Sequence, residues 1–113
     1  MLEMAVKAAD DKRAEDIVAL DVSKVSLLAD YFIICHGNSD KQVLAIAKEI
    51  VDEAYKHELV VKRVEGKESA KWVLIDLGDV ICHVFYGEER EFYNLEKLWS
   101  DAPLVNIDNM VVE

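Results

Sequence analysis

Hydrophobic and polar positions change period several times along the chain, and each change marks an element. From Met1 to about Arg13, Leu2, Ala5, Val6 and Ala9 recur at helical spacing and predict an amphipathic helix. Asp16 to Val22 reads as a strand bounded by acid on both sides. Ser23 to Asp30 is a connection with room for one helical turn. Tyr31 to His36 is continuously apolar, as expected of a central strand buried on both faces. Gly37-Asn38-Ser39 ends that strand. Ser39 and Gln42 then have capping-box spacing, and Val43, Ile46, Ala47, Ile50 and Ala54 form the apolar stripe of the strongest helix. Lys56 and His57 sit in its last turn, where positive charge suits the helix dipole. Val60 to Val64 predicts a short strand near an edge, because Lys62 and Arg63 interrupt it. Glu65 to Lys71 is a polar loop.

The stretch from Trp72 to Phe85 is the organising one. Two β-rich runs flank Gly78-Asp79, a dipeptide suited to a two-residue hairpin turn. That turn sets Leu77 against Val80, Ile75 against Cys82, Val73 against Val84 and Trp72 against Phe85. Directly opposed residues share a face. One face then carries Val73, Ile75, Leu77, Val80, Cys82 and Val84, and is a core. The other carries Trp72, Leu74, Asp76, Ile81, His83 and Phe85. Its acid and imidazole make it a poor core and a docking surface, unless a terminal helix covers it and makes Trp72 core.

After Gly87 the period returns to helical, with Phe92, Leu95, Leu98 and Trp99 on one side and Asp101-Ala102-Pro103 ending the run. Leu104 to Glu113 is weakly patterned and reads as a mobile tail. The organisation is thus one domain over residues 1–103 and a C-terminal tail over 104–113. The order α-β-β-α-β-β-β-α predicts an α/β (α+β) fold, a mixed sheet of about five strands flanked by helices.

Composition narrows the function classes. The chain has 113 residues, 52% of them hydrophobic, so it can fold around a core. Its net charge of −10 lacks the basic face that direct nucleic-acid binding needs, and it does not suit an anionic membrane surface. It suits a basic protein partner, and it also serves solubility alone. No apolar run approaches the ~20 residues that span a bilayer, and no signal-peptide pattern stands at Met1, so the reading is cytoplasmic. Cys35 and Cys82 lie in apolar runs and read as buried thiols.

Candidate chemistry is sparse. Gly37-Asn38-Ser39 at a strand-to-helix junction could cradle phosphate and resembles the Gly-Ser turn of nucleotidyl transferases. Those enzymes also need paired carboxylates on an adjacent strand to hold metal ions. Here the next acids, Glu49, Asp52 and Glu53, lie on the helix, so the turn reads as a cap. Asp79 reads as a turn residue. His36, His57 and His83 match no metal motif, and His83 reads as a strand residue with a satisfied ring. The expectation is a binding protein with no catalytic residue, metal or cofactor.

Longer motifs carry a resemblance. Asp30-Tyr31-Phe32-Ile33-Ile34, Gly37-Asn38-Ser39, Val64-Glu65-Gly66, Trp72 through Val80, His83-Val84-Phe85 and Arg90 through Trp99 together resemble the ribosomal silencing factor S family, also called Iojap. The similarity covers about residues 1–102. It implies a nucleotidyl transferase-like fold without catalytic acids. It implies binding to the large ribosomal subunit through its protein number fourteen, blocked joining of the small subunit, and lowered translation when nutrients are scarce. It also implies homodimers, and Trp72 matches the tryptophan the family uses at the ribosomal protein. The expected partner-binding residues are Trp72, Leu74, Asp76, His83 and Phe85. The alternative is an enzyme of the nucleotidyl transferase type that binds a nucleotide at Gly37 to Ser39.

Overall fold

The hairpin forms in the expected register. In the computed structural model, which describes residues 1–111, β4 (Trp72–Asp76) pairs antiparallel with β5 (Val80–Tyr86), Trp72 opposite Phe85 and Ile75 opposite Cys82. Gly78 takes φ +94°, a conformation that costs glycine least. The Asp76 Oδ1 accepts the Gly78 N–H at 2.8 Å and so completes the turn.

β5 is the centre of a five-stranded mixed sheet. It runs parallel to β2 (Tyr31–Gly37), which pairs antiparallel with β1 (Glu15–Asp21). On the other side β4 pairs antiparallel with β3 (Arg63–Glu65), giving the order β1-β2-β5-β4-β3. The strand expected over Val60 to Val64 is only the three residues of β3. Val60 stays outside the ladder and exposed, with Lys62 N–H bonding the Asp76 carbonyl.

Helices cover both faces. α1 (Leu2–Asp11) and α2 (Asp40–Lys56) lie on the face built from Ile33, Cys35, Val73, Ile75, Cys82 and Val84. The stripe Val43, Ile46, Ala47, Ile50 and Ala54 is buried throughout. Ser39 caps α2 by accepting the Gln42 N–H at 3.1 Å. The reciprocal half of the capping box falls one residue early: Gln42 Oε1 accepts from Asn38 N–H. Its Nε2 donates to the carbonyls of Lys12 and Arg13, tying the end of α1 to the start of α2.

The C-terminal part departs from expectation twice. The single helix is two, α3 (Gly87–Tyr93) and α4 (Leu95–Leu98), because Asn94 adopts the left-handed conformation at φ 47°. Asparagine tolerates that conformation, and its side chain accepts the Lys97 N–H, so one residue ends one helix and caps the next. The kink scatters the expected stripe. Leu95 is buried and Trp99 half-buried, whereas Phe92 and Leu98 are 78% and 73% exposed. The segment after Pro103 is not loose. Leu104 bridges Leu20, Val105 N–H bonds the Ala19 carbonyl, and Ile107, Met110 and Val111 pack against the α1/α2 core. Residues 112 and 113 of the expected tail lie outside the described residues.

Candidate functional site

The second face of the hairpin divides into a buried middle and an open rim. The middle packs under Leu95, Trp99 and Ala102, together with Phe32 and Ile34. His83 is 5% exposed and Phe85 is 0% exposed, so the terminal helices cover much of the face read as a poor core. His83 and Phe85 therefore have no surface to offer a partner directly. Trp72 and Leu74 are half-buried at the rim. Asp76 is half-buried too, and both its oxygens are engaged. One accepts from Gly78, and the other faces the Arg63 guanidinium at 3.5 Å.

Trp72 is held by its neighbours. Its ring stacks on Phe85 with centroids 5.0 Å apart and meets Tyr93 of α3 at 4.7 Å. Phe92 stands edge-on to Tyr93 at 5.1 Å. Tyr93 is 46% exposed, so Trp72, Tyr93 and Phe92 form a continuous aromatic rim. Gly66 seats the start of β4. It has φ +90°, and a Cβ there would run into the Trp72 carbonyl oxygen.

His83 lies beneath the indole. Trp72 Nε1–H donates to His83 Nδ1 at 3.1 Å. Indole nitrogen can only donate, so Nδ1 is the acceptor and the imidazole proton sits on Nε2. Nε2 is buried and has no partner among the described residues, so the ring is not satisfied as expected. Leaving a buried donor unmade costs about 1–3 kcal/mol. Burial pushes the His83 pKa down to about 4. The Phe32 ring stands edge-on at 4.9 Å.

A second constellation lies at the carboxyl ends of the parallel pair β2 and β5. Arg90, 8% exposed, donates from Nη1 to His36 Nδ1 and to the Glu15 carbonyl, and from Nε to Glu96. His36 Nε2 lies 3.2 Å from Glu15 Oε2. A bulge in β1, with Asp16 at φ 48°, brings Glu15 opposite His36. Beside this network lies an open cleft of about 950 Å³, lined by Asp16, Glu88, Glu91, Glu96, Asn38 and Asn94 among others. Its four acids, Asp16, Glu88, Glu91 and Glu96, belong to bulge and helix positions rather than to paired strand carboxylates. Among the described residues no three His, Cys, Asp or Glu side chains gather as metal ligands. Burial raises the Cys35 pKa to about 12 and pushes Cys82 up as well, so both thiols stay protonated.

Sequence reasoning assigned no role to Tyr93 or Arg90. Tyr93 falls next to the exposed Phe92 and is the last residue of α3, where its ring meets Trp72. Arg90 carries one faint signal: it is the single cation among Glu88, Glu89, Glu91 and Glu96.

Comparison with known proteins follows the motifs. The profile of the family described as "Ribosomal silencing factor during starvation" matches residues 1–113, including the segment after 103. The ribosomal silencing factor RsfS of Bacillus subtilis (strain 168) is 62% identical over 108 residues, covering 96% of this chain and 92% of that protein. The mouse protein named "Mitochondrial assembly of ribosomal large subunit protein 1" is 34% identical over 104 residues, covering 88% of this chain and 45% of that protein. A crystal structure from Bacillus halodurans, 56% identical, superimposes with a TM-score of 0.84 over 93% of this chain and 95% of that one. With this match over its whole length, the chain belongs to the ribosomal silencing factor family.

Proposed function

We propose that this protein binds the large ribosomal subunit through that subunit's protein number fourteen, blocks joining of the small subunit and so lowers translation when nutrients are limiting. Its role is occupancy rather than catalysis, and it acts in the cytoplasm. It also forms homodimers.

The observation that carries this reading is the aromatic rim of Trp72, Tyr93 and Phe92 at the open end of the hairpin. Aromatic side chains are favoured as interface anchors, because they bring large apolar area at low entropic cost. The net charge of −10 over the whole chain favours a basic partner, such as a ribosomal protein surface. Leu74 extends the apolar centre. Asp76 shapes the turn beside it, while His83 and Phe85 support it from below.

The test is Trp72→Ala, measured by co-sedimentation with purified large subunits and by thermal melting. Binding is expected to weaken by at least ~2 kcal/mol. Because the ring is only half-buried, the stability loss should stay below the roughly 3–5 kcal/mol of a fully buried aromatic. A folded variant that still holds the subunit and still blocks joining rejects the docking face.

The cleft beside Gly37-Asn38-Ser39 gives the second reading, a nucleotide site of transferase type. Its acids repel a polyphosphate. Calorimetric titration with nucleoside triphosphate and Mg²⁺ separates the two, since saturable binding there favours the enzyme.

A further inference from the structure

We propose that His83 is a positioning residue, which turns the Trp72 indole so that its N–H faces inward and only ring carbon is left for the partner. The inference rests on the docking role of Trp72 and specifies the chemistry of what meets it.

The geometry carries it. Trp72 has one polar atom, Nε1, and that atom is spent on His83 Nδ1 at 3.1 Å. The indole plane is fixed from two further sides, by Phe85 beneath it and Tyr93 beside it. A ring so held has lost its rotational freedom before the partner arrives, and preorganisation of this kind raises affinity. The partner surface over Trp72 therefore brings no hydrogen-bond acceptor to the indole, for it would find no donor; aliphatic carbon, including the stem of a lysine or arginine, fits the ring.

The orphaned Nε2 is the second observation. A leucine or phenylalanine at this central β5 position would fill the space without burying an unmatched donor. Within the described fold the imidazole's one hydrogen bond goes to Trp72. A side chain that serves packing alone is not expected to leave a buried donor unpaired.

The test uses the full chain. The protein has two tryptophans, so its ¹H–¹⁵N spectrum holds two indole signals, and Trp72→Phe identifies the one from Trp72. In His83→Leu that signal should move upfield and exchange faster with solvent. Thermal stability should not fall below wild type, and large-subunit binding should weaken roughly two- to tenfold, the cost of immobilising one side chain on binding. His83→Asn, whose Oδ1 occupies the place of Nδ1, should restore both the signal and the affinity. His83→Phe serves as a second apolar variant.

Three results overturn the proposal. One is an indole signal unmoved in His83→Leu. Another is wild-type binding by folded His83→Leu and His83→Phe. The third is a His83→Asn protein that regains the indole bond without regaining affinity. Trp72→Ala is measured beside them. Unweakened binding in that variant removes the docking face itself. Weakened binding there with unweakened His83→Leu removes only the positioning role.

Discussion

Arg90 Nη1 donates to His36 Nδ1 at 2.9 Å, and this contact ties the C-terminal helices to the sheet. Arginine cannot accept, so Nδ1 is the acceptor of this bond, and Nε2 faces the Glu15 carboxylate. Arg90 thereby joins α3 to β1 and β2, and through Glu96 to α4. The segment carrying Tyr93 is anchored at this point.

Arg90→Leu should cost roughly 2–3 kcal/mol of folding stability, because charged hydrogen bonds are lost at a buried position. Arg90→Lys should recover only a small part, since an ammonium cannot reach His36, Glu15 and Glu96 with one planar fork. Urea denaturation followed by tryptophan fluorescence measures both. Equal stability of the lysine variant and wild type would show that charge alone suffices.

Stability should fall as pH drops from about 6.5 to about 4, in part through His83. Its folded pKa is lowered to about 4 by burial, whereas an unfolded imidazole titrates near 6.5. Between those values the unfolded state binds more protons, so acid favours unfolding; above about 6.5 both states are neutral and the contribution is flat. Fully developed, the effect is ~3 kcal/mol. Carboxylates titrate in the lower part of that range. The informative quantity is therefore the stability difference between His83→Leu and wild type, which should grow in favour of the variant between neutral pH and about pH 5. A difference independent of pH would contradict the buried, neutral ring.

Gly66→Ala should destabilise the protein by more than about 2 kcal/mol, from the left-handed backbone penalty and the collision with the Trp72 carbonyl together. The same substitution at Gly37 is milder, because there the nearest atoms are the flexible Gln42 side chain and the Val43 nitrogen at 3.1–3.2 Å. Melting curves of the two variants should rank them in that order. The reverse order would mean that the loop before β4 yields easily.

The legible parts of this fold are those that local pattern alone determines. Strand β2 announces itself by six consecutive apolar-leaning residues, and α2 by a cap and a stripe. The hairpin register follows from Gly78-Asp79, because any slip would have moved Ile75 and Cys82 out of the core. What was not legible depends on single backbone angles and distant partners. Nothing in the Phe92–Trp99 spacing distinguishes one helix from two; the left-handed Asn94 does. Likewise His36, Glu15 and Arg90 are far apart in sequence and meet only once β1 bulges at Asp16. The second face of the hairpin carries the apolar residues, the acid and the imidazole that its alternation predicts. That pattern could not say which side chains a covering helix would bury, so His83 and Phe85 were placed with Trp72 on one exposed surface.

The segment after Pro103 should prove structural. Along the outer edge of β1, Asp21 N–H bonds the Pro103 carbonyl, Val105 N–H bonds the Ala19 carbonyl, and Leu104 bridges Leu20. Uncovered, that edge would present Ile17, Val18 and Ala19 with unpaired backbone groups, a template for pairing with another chain. Truncation after Pro103 also strips Ile107, Met110 and Val111 from the core beside α1 and α2. The shortened protein should melt at a lower temperature, by about 4–8 °C for each kcal/mol lost in a domain of this size. It should also associate in a concentration-dependent way by analytical ultracentrifugation. Val105→Pro isolates the edge contribution, because it removes only the donor to Ala19 and leaves the apolar contacts in place. It should show the association with a smaller loss of melting temperature. Unchanged melting and sedimentation in the truncated protein would mean that β1 needs no cover and that the docked segment contributes nothing to the fold.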